Sequence, residues 1–227
     1  MASTTPVHPY YPLGVSIPNY KPNTLDTRII IAAFITACSM ILVPALIFLR
    51  RARSSLSTRD AATAMWFMLC GFIHVVVEGS FVLHHVADSS TILSQLWKEY
   101  SLSDSRYLTR DAFMVCMETI TAFAWGPLSF LLVHFILDAH PARHFVQTVI
   151  SLGQMYGVVL YYAIFVHDNV VRGIEYSRPE KRYLYGYMVL ANSFWLVIPA
   201  LMLVQSGFAT VAAFAGAAKR ANKGRRG

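Results

Sequence analysis

Five long apolar runs dominate the pattern of hydrophobic and polar positions. The first run, Ile29–Leu49, contains no charged residue. Further runs cover about 61–86, 112–137, 145–166 and 183–208. As helices, all five are long enough to cross the roughly 30 Å hydrocarbon core of a bilayer. Because lipid offers no partner to unpaired backbone groups, we predict an all-α integral membrane protein built as a bundle of five transmembrane helices.

The segments around this membrane domain (29–208) carry different signals. Residues 1–28 are rich in proline and predict an extended N-terminal segment, and residues 209–227 form a basic tail. The connection 87–111 mixes aromatic and charged residues, which favours a packed cap over a linker. Five spans place the termini on opposite sides, and the basic cluster 50–53 then lies on the same side as the tail. We expect that side, with the C-terminus, to be cytosolic.

Composition excludes several classes of protein. The chain of 227 residues is 56% hydrophobic and 14% charged, whereas a soluble domain carries about 25% charged residues. The net charge of +7 flanks apolar runs instead of covering one face, so a nucleic-acid partner is not expected. Cys38, Cys70 and Cys116 all lie inside apolar runs. They are interpreted as small hydrophobic residues and not as a disulfide framework or a metal site.

Two carboxylates inside the spans are the strongest functional signal. Burying Glu78 or Glu118 in a membrane costs several kcal/mol unless the charge is neutralised or paired, so a functional site is the default interpretation. His74 lies one turn from Glu78. Counting the helical rise places these three residues, with Asn192 and Trp195, in one layer about 9 to 18 Å from one membrane face.

Other polar or aromatic positions favour a structural role. The stripe Gln147, Ser151 and Gln154 on span four is typical of polar helix packing. Trp66 is expected in the aromatic belt at the membrane interface. Span one has no comparable polar stripe and is expected to be peripheral.

Paired carboxyls with a histidine and an indole point to acid–base chemistry in lipid. Two close carboxyls cannot both ionise cheaply, so one keeps its proton while the other is charged. Indole rings and carboxylates stabilise a cation. The set suits protonation of an alkene, a carbocation and loss of a different proton, which together shift a double bond in a lipid-soluble substrate. A proton-coupled carrier would use similar residues.

Several stretches resemble the emopamil-binding protein family, the 3β-hydroxysteroid Δ8,Δ7-isomerases. The resemblance extends over most of the chain and is weakest in span one, around 166–181 and in the tail. The matching stretches are CGFIH at 70–74, LSQLWKEY at 93–100, DSRY at 104–107, VCMETITA at 115–122, WGPLS at 125–129, GQMYG at 153–157 and NSFWLV at 192–197.

This resemblance implies a multi-pass enzyme of the endoplasmic reticulum that moves a sterol double bond from C8–C9 to C7–C8 without a cofactor or metal. The sterol-isomerase core would be about 61–200, around an intramembrane sterol cavity. A Δ8-sterol and membrane lipid are the implied partners, with cationic amphiphilic amines as inhibitors that imitate the carbocation. The implied catalytic set is His74, Glu78, Glu118, Thr121, Asn192 and Trp195, with Tyr100, Asp104, Arg106 and Tyr107 of the cap as secondary substrate-binding residues.

Two other functions remain open at this point. A non-catalytic protein that binds sterols or cationic amphiphiles could share the fold, although the complete six-residue set argues against it. A proton-coupled transporter would need a water path to both membrane faces, whereas the polar layer is confined to one half of the spans. The oligomeric state is not determined by the sequence, which is compatible with a homodimer.

Overall fold

A computed structural model describes residues 8–225, and every regular element in this range is a helix. Five of the helices are long and apolar enough to cross a membrane, which confirms the predicted class. Residues 1–7 of the predicted extended segment and residues 226–227 of the basic tail lie outside the described range. The helices are α1 (Thr27–Ala52), α2 (Thr58–Leu83), α3 (Ile92–Tyr100), α4 (Arg106–Thr109), α5 (Ala112–Leu137), α6 (Arg143–Arg172) and α7 (Arg182–Gly224).

Local sequence determines where several helices begin and end. The side chains of Asp26, Ser57, Thr91 and Asp111 each accept a hydrogen bond from a backbone N–H in the first turn of the helix that follows. At the far end of α6, Gly173 adopts a left-handed conformation with φ of 65°. Such a residue ends a helix because glycine carries no side-chain penalty there. These signals determine where α1, α2, α3 and α5 begin and where α6 ends.

Three of the membrane helices contain π-helical segments, in which the turns are wider than in an α-helix. They cover Ile73–Glu78 in α2, Thr121–Trp125 in α5 and Arg182–Ala191 in α7. Such segments are rare and occur frequently at functional sites. All three contain or adjoin residues of the predicted catalytic set. The wider turns therefore change the angles at which these side chains project from their helices.

Two glycines permit close contacts between helices near His74. A Cβ at Gly126 would lie 2.6 Å from Cγ2 of Val75 and 3.2 Å from Cβ of His74, and a Cβ at Gly153 would overlap the indole of Trp125. Neither position leaves room for a methyl group. The glycines therefore let α5 approach α2, and α6 approach α5, beside His74.

The cap closes one end of the bundle and is held by the N-terminal segment. Lys98 is fully buried, and its ammonium donates hydrogen bonds to the carbonyls of Lys21 and Ser89, both at 2.8 Å. Burial, with the charge of Lys21 adding to it, lowers the pKa of Lys98 below its usual value. The hydroxyl of Tyr10 in turn donates to the Lys98 carbonyl at 3.1 Å. Residues 87–111 are thus a packed cap and not a linker.

Gly126→Ala should destabilise the bundle, because the new methyl group forces Val75 and His74 away from α5. Overpacking of this kind costs about 1–3 kcal/mol. We expect a lower midpoint of thermal unfolding for the detergent-solubilised variant than for the wild type.

Gly216→Ala is the matched control, since no atom of residues 8–225 lies within 4 Å of a Cβ built at that helical position. It should leave the midpoint unchanged or raise it, because alanine favours a helix by about 1 kcal/mol over glycine. Equal midpoints for the two variants would contradict the proposed role of Gly126.

Candidate active site

A cavity of about 1050 Å³ lies within the bundle, beneath the cap. Its wall is formed by α1, α2, α3, α5, α6, α7 and Tyr107 of α4, and is mostly apolar. Asp104 and Arg106 are absent from this wall. The wall includes all six residues of the predicted catalytic set and both tyrosines of the cap: His74, Glu78, Glu118, Thr121, Asn192, Trp195, Tyr100 and Tyr107.

The two carboxylates and the histidine form one cluster at the wall of the cavity. Nδ1 of His74 lies 2.7 Å from Oε2 of Glu78, and the carboxyl of Glu118 lies beside that of Glu78. The hydroxyl of Tyr107 donates to Oε1 of Glu118 at 2.9 Å. His74 is 1% and Glu118 is 5% exposed. The cluster can therefore hold and exchange protons away from bulk water.

Gln154 belongs to this cluster, which the sequence did not predict. Its amide nitrogen lies 2.8 Å from Nε2 of His74, and both side chains are buried. The stripe on α6 is buried as expected, with Gln147 and Ser151 fully enclosed. A buried amide in a membrane helix requires a polar partner. The sequence therefore indicates that Gln154 has a polar partner on another helix. That signal does not identify His74 as the partner.

Aromatic rings form the part of the wall next to His74. The indole of Trp195 lies 6.2 Å from the His74 imidazole and 5.5 Å from the indole of Trp66, measured between ring centroids. Trp66, which the sequence predicted for the aromatic belt at the membrane interface, has its side chain at the cavity wall. Two adjoining indoles offer a surface that favours a cation.

The helix α1 contributes side chains to the cavity wall, which its apolar sequence did not predict. It is peripheral, as expected, since only Ile30 and Leu49 along its length are buried. Nevertheless, Phe34 and Cys38 line the cavity on that side. Exposed side chains of α1 and α7, including Ile35 and Phe194, also belong to the wall. Exposed side chains of α5 and α6 belong to the wall as well, so the cavity borders lipid-facing surface.

Asn192 and the tyrosines of the cap are linked by hydrogen bonds and ring contacts. The amide nitrogen of Asn192 donates to the hydroxyl of Tyr100 at 2.7 Å and to the carbonyl of Met188 at 2.8 Å. The rings of Tyr100 and Tyr107 lie 5.4 Å apart. Burial, with the charge of Glu118 adding to it, raises the pKa of Tyr107 well above its usual value. Tyr107 therefore stays protonated and remains a donor to Glu118.

Thr121 lines the cavity at the start of the π-helical segment of α5. Its hydroxyl donates to the carbonyl of Met117 at 2.7 Å, one turn earlier. The hydroxyl proton of Thr121 is thus engaged in a hydrogen bond within the helix. The oxygen lone pairs remain as acceptors.

Asp104 and Arg106 form a buried ion pair behind the cavity wall. The guanidinium binds the carboxylate through Nε at 2.9 Å and Nη2 at 2.6 Å, and both residues are at most 1% exposed. Its central carbon lies 5.0 to 5.6 Å from the ring centres of Tyr161, Phe165 and Tyr176. Burial disfavours the cation, but the hydrogen bonds and charge of Asp104 outweigh this and raise the pKa of Arg106. The pair fastens the cap to α6.

The fold and the site together define a class: a multi-pass membrane protein with an intramembrane cavity whose wall carries an acid–base cluster. The family model described as EXPERA (EXPanded EBP superfamily) matches residues 92–206. The chain belongs to this family, the emopamil-binding protein superfamily, as its resemblance implied.

Similar proteins support the same assignment over nearly the full length. A 3-beta-hydroxysteroid-Delta(8),Delta(7)-isomerase of Mus musculus is 40% identical over 207 residues, covering 90% of this chain and 89% of the relative. The protein of that name from Cavia porcellus is 40% identical over 209 residues, with the same two shares. A protein named probable 3-beta-hydroxysteroid-Delta(8),Delta(7)-isomerase from Oryza sativa subsp. japonica is 31% identical, covering 92% of this chain and 94% of its own.

Asp104→Asn should strongly destabilise the protein, because it leaves the Arg106 guanidinium buried without its counter-charge. Breaking a buried ion pair costs about 3–5 kcal/mol. We expect a large fall in the midpoint of thermal unfolding and loss of monodisperse protein in detergent.

Asp138→Asn is a suitable control, since Asp138 forms an exposed pair with His134 at 3.3 Å. Exposed pairs contribute about 0–1 kcal/mol, so its midpoint should match that of the wild type. An unchanged midpoint for Asp104→Asn would contradict the fastening role of the pair.

Proposed function

We propose that this protein is a sterol Δ8,Δ7-isomerase. The observation that carries the proposal is the placement of buried His74 and Glu118 and half-buried Glu78 as one cluster at the wall of an apolar cavity. With about 1050 Å³, the cavity lies just above the roughly 300–1,000 Å³ typical of small-molecule pockets, which suits a polycyclic ligand. The names of the relatives point to the same reaction.

The first step of the proposed mechanism is protonation of the alkene. The cluster of His74, Glu78 and Glu118 gives a proton to C9, and the electron pair of the C8–C9 double bond forms the new C9–H bond. Positive charge then develops at C8. The ionised carboxylate of the cluster and the ring of Trp195, 6.2 Å from His74, stabilise this cation.

The second step removes a proton from C7. The ionised carboxylate takes this proton, directly or through Asn192 or Thr121, and the C7–H electron pair forms the C7–C8 double bond. One proton enters the sterol and one leaves, so the reaction is redox-neutral. The proton must then move between the carboxyls before the next turnover, for which the adjacency of Glu78 and Glu118 provides a route.

The tyrosines of the cap have separate roles in this proposal. Tyr107 stabilises the ionised form of Glu118 through its hydrogen bond. Tyr100 orients Asn192 at the cavity wall. Asp104 and Arg106 act indirectly, by holding the cap in place. Cationic amphiphilic amines would inhibit the enzyme, because a protonated amine beside the carboxylates and Trp195 imitates the intermediate cation.

We further propose that the protein resides in the endoplasmic reticulum membrane with its C-terminus in the cytosol. Arg50, Arg51 and Arg53 follow the core of α1, and Arg143 begins α6 at the same end of the bundle. The last turns of α7 add Lys219, Arg220 and Lys223 at this end. Basic residues next to membrane spans favour the cytosolic face. The substrate would enter from the bilayer through the side of the bundle where the cavity wall includes exposed side chains.

Turnover in D2O tests the reaction and its first step together. Purified protein incubated with a Δ8-sterol should yield a Δ7-sterol. One deuterium at C9 means that the cluster exchanges its proton with solvent between turnovers, whereas an unlabelled Δ7-sterol means that the proton from C7 is passed internally to C9. Mass spectrometry with fragmentation gives the product and the position of the label. No product, together with tight binding of an amphiphilic amine, would overturn the isomerase proposal in favour of a binding protein.

Glu118→Gln should abolish turnover while preserving the fold, because the amide has the shape of the carboxyl but cannot carry its charge or exchange its proton. General acid–base groups contribute about 100-fold to 10,000-fold to the rate, and we expect a loss in that range. The rate of Δ7-sterol formation is the measurement.

Glu175→Gln removes one carboxylate from the exposed loop between α6 and α7 and serves as the control. Its turnover should equal that of the wild type. Near-normal turnover of Glu118→Gln, with both variants folded, would rule out the role assigned to Glu118.

A further inference from the structure

We propose that Gln154 is a positioning residue that sets the protonation of His74 and directs the imidazole toward Glu78 instead of the substrate. This inference rests on the isomerase function proposed above. It also assigns the proton exchanged with the sterol to the carboxyls, which that proposal left open for His74.

The geometry around His74 leaves neither ring nitrogen free. Nδ1 lies 2.7 Å from Oε2 of Glu78, and Nε2 lies 2.8 Å from the amide nitrogen of Gln154. An amide nitrogen can only donate, so Nε2 must carry a lone pair in this arrangement. The ring proton then resides on Nδ1 and is donated to Glu78. The hydrogen bond at one ring nitrogen thus determines the state of the other.

The position of Gln154 is tightly constrained. The side chain is 5% exposed and His74 is 1% exposed, so water cannot readily replace the contact. The preceding residue, Gly153, packs directly on the indole of Trp125 in α5. This contact fixes the distance between α6 and α5. This close packing holds the amide of Gln154 next to α2.

The carbonyl oxygen of the Gln154 amide is buried without a hydrogen-bond partner among the described residues. Such an atom is costly unless it has a use in another state of the site. If His74 became an imidazolium, a half-turn of the amide would present this oxygen to the new Nε2–H. Gln154 can thus match either protonation state of His74, but only the neutral, Nδ1-protonated state fits the present orientation.

The consequence is a division of roles within the cluster. With both nitrogens engaged, His74 cannot deliver a proton to C9 without breaking one of two buried hydrogen bonds. Glu78 and Glu118 each keep a second carboxyl oxygen that takes no part in the hydrogen bonds with His74 and Tyr107. We infer that His74 stabilises the ionised form of Glu78 and that Gln154 keeps it in the tautomer that does so.

The test is the ¹⁵N spectrum of the His74 ring in detergent-solubilised protein at pH 7, with the signals assigned by comparison with His74→Ala. Wild-type protein should have an unprotonated Nε2 and a protonated Nδ1. Protonated Nε2 in the wild type overturns the proposal. This measurement needs no variant of Gln154 to fold.

Gln154→Leu keeps the approximate shape of the side chain without its hydrogen bond. We expect kcat to fall by about 10-fold to 100-fold and the single tautomer of His74 to be lost. KM should stay within about 2-fold, since Gln154 does not contribute to binding of the ground-state substrate. Gln154→Glu should instead produce the imidazolium, with both ring nitrogens protonated between two carboxylates. An unchanged ring spectrum in both variants overturns the proposal.

Gln147→Leu is the matched control from the same buried stripe of α6. Its amide donates to Gln205 and to the carbonyl of Met202, and it does not contact the cavity. It should leave the ring spectrum of His74 and kcat unchanged, whatever its effect on stability. A wild-type protein that isomerises the sterol, with a ring spectrum insensitive to Gln154, refutes only this inference. A wild-type protein without turnover refutes the isomerase function instead.

Discussion

The burial of two carboxylates and an imidazole within a membrane is the constraint on which the rest of this structure depends. In lipid, an ionised or polar group needs a partner from the protein itself. A continuous chain of contacts supplies those partners, from Gln154 through His74, Glu78 and Glu118 to Tyr107. The chain joins α6, α2, α5 and the cap, so these elements must keep a common geometry for the site to remain neutralised.

Backbone features allow the helices to meet this requirement. The π-helical segments of α2 and α5 lie where the two helices cross, and Gly126 permits their contact beside His74. Wider turns and small residues each weaken a helix locally. Here they place the polar groups within hydrogen-bonding distance, which compensates for the weaker backbone.

The cap separates one end of the cavity from water. Its aromatic side chains cover the end of the bundle, and the ion pair of Asp104 with Arg106 fastens it to α6 from behind. Lys98 and Tyr10 hold the N-terminal segment over the cap. Away from the cap, the cavity wall includes exposed side chains and borders lipid. Proton transfer is thus shielded from water while an apolar substrate retains a route from the bilayer.

Much of this arrangement was determined by the sequence alone. Apolar runs specified five membrane helices, because helix length and hydrophobicity must match the bilayer. The cost of buried charge singled out Glu78 and Glu118, and the motifs added the remaining members of the set at the cavity wall. Only the tertiary structure decided the partner of Gln154, the place of Trp66 in the wall, and the position of Asp104 and Arg106 behind it. These depend on π-helical turns and on contacts between distant helices, which a regular helical spacing along one chain segment does not contain.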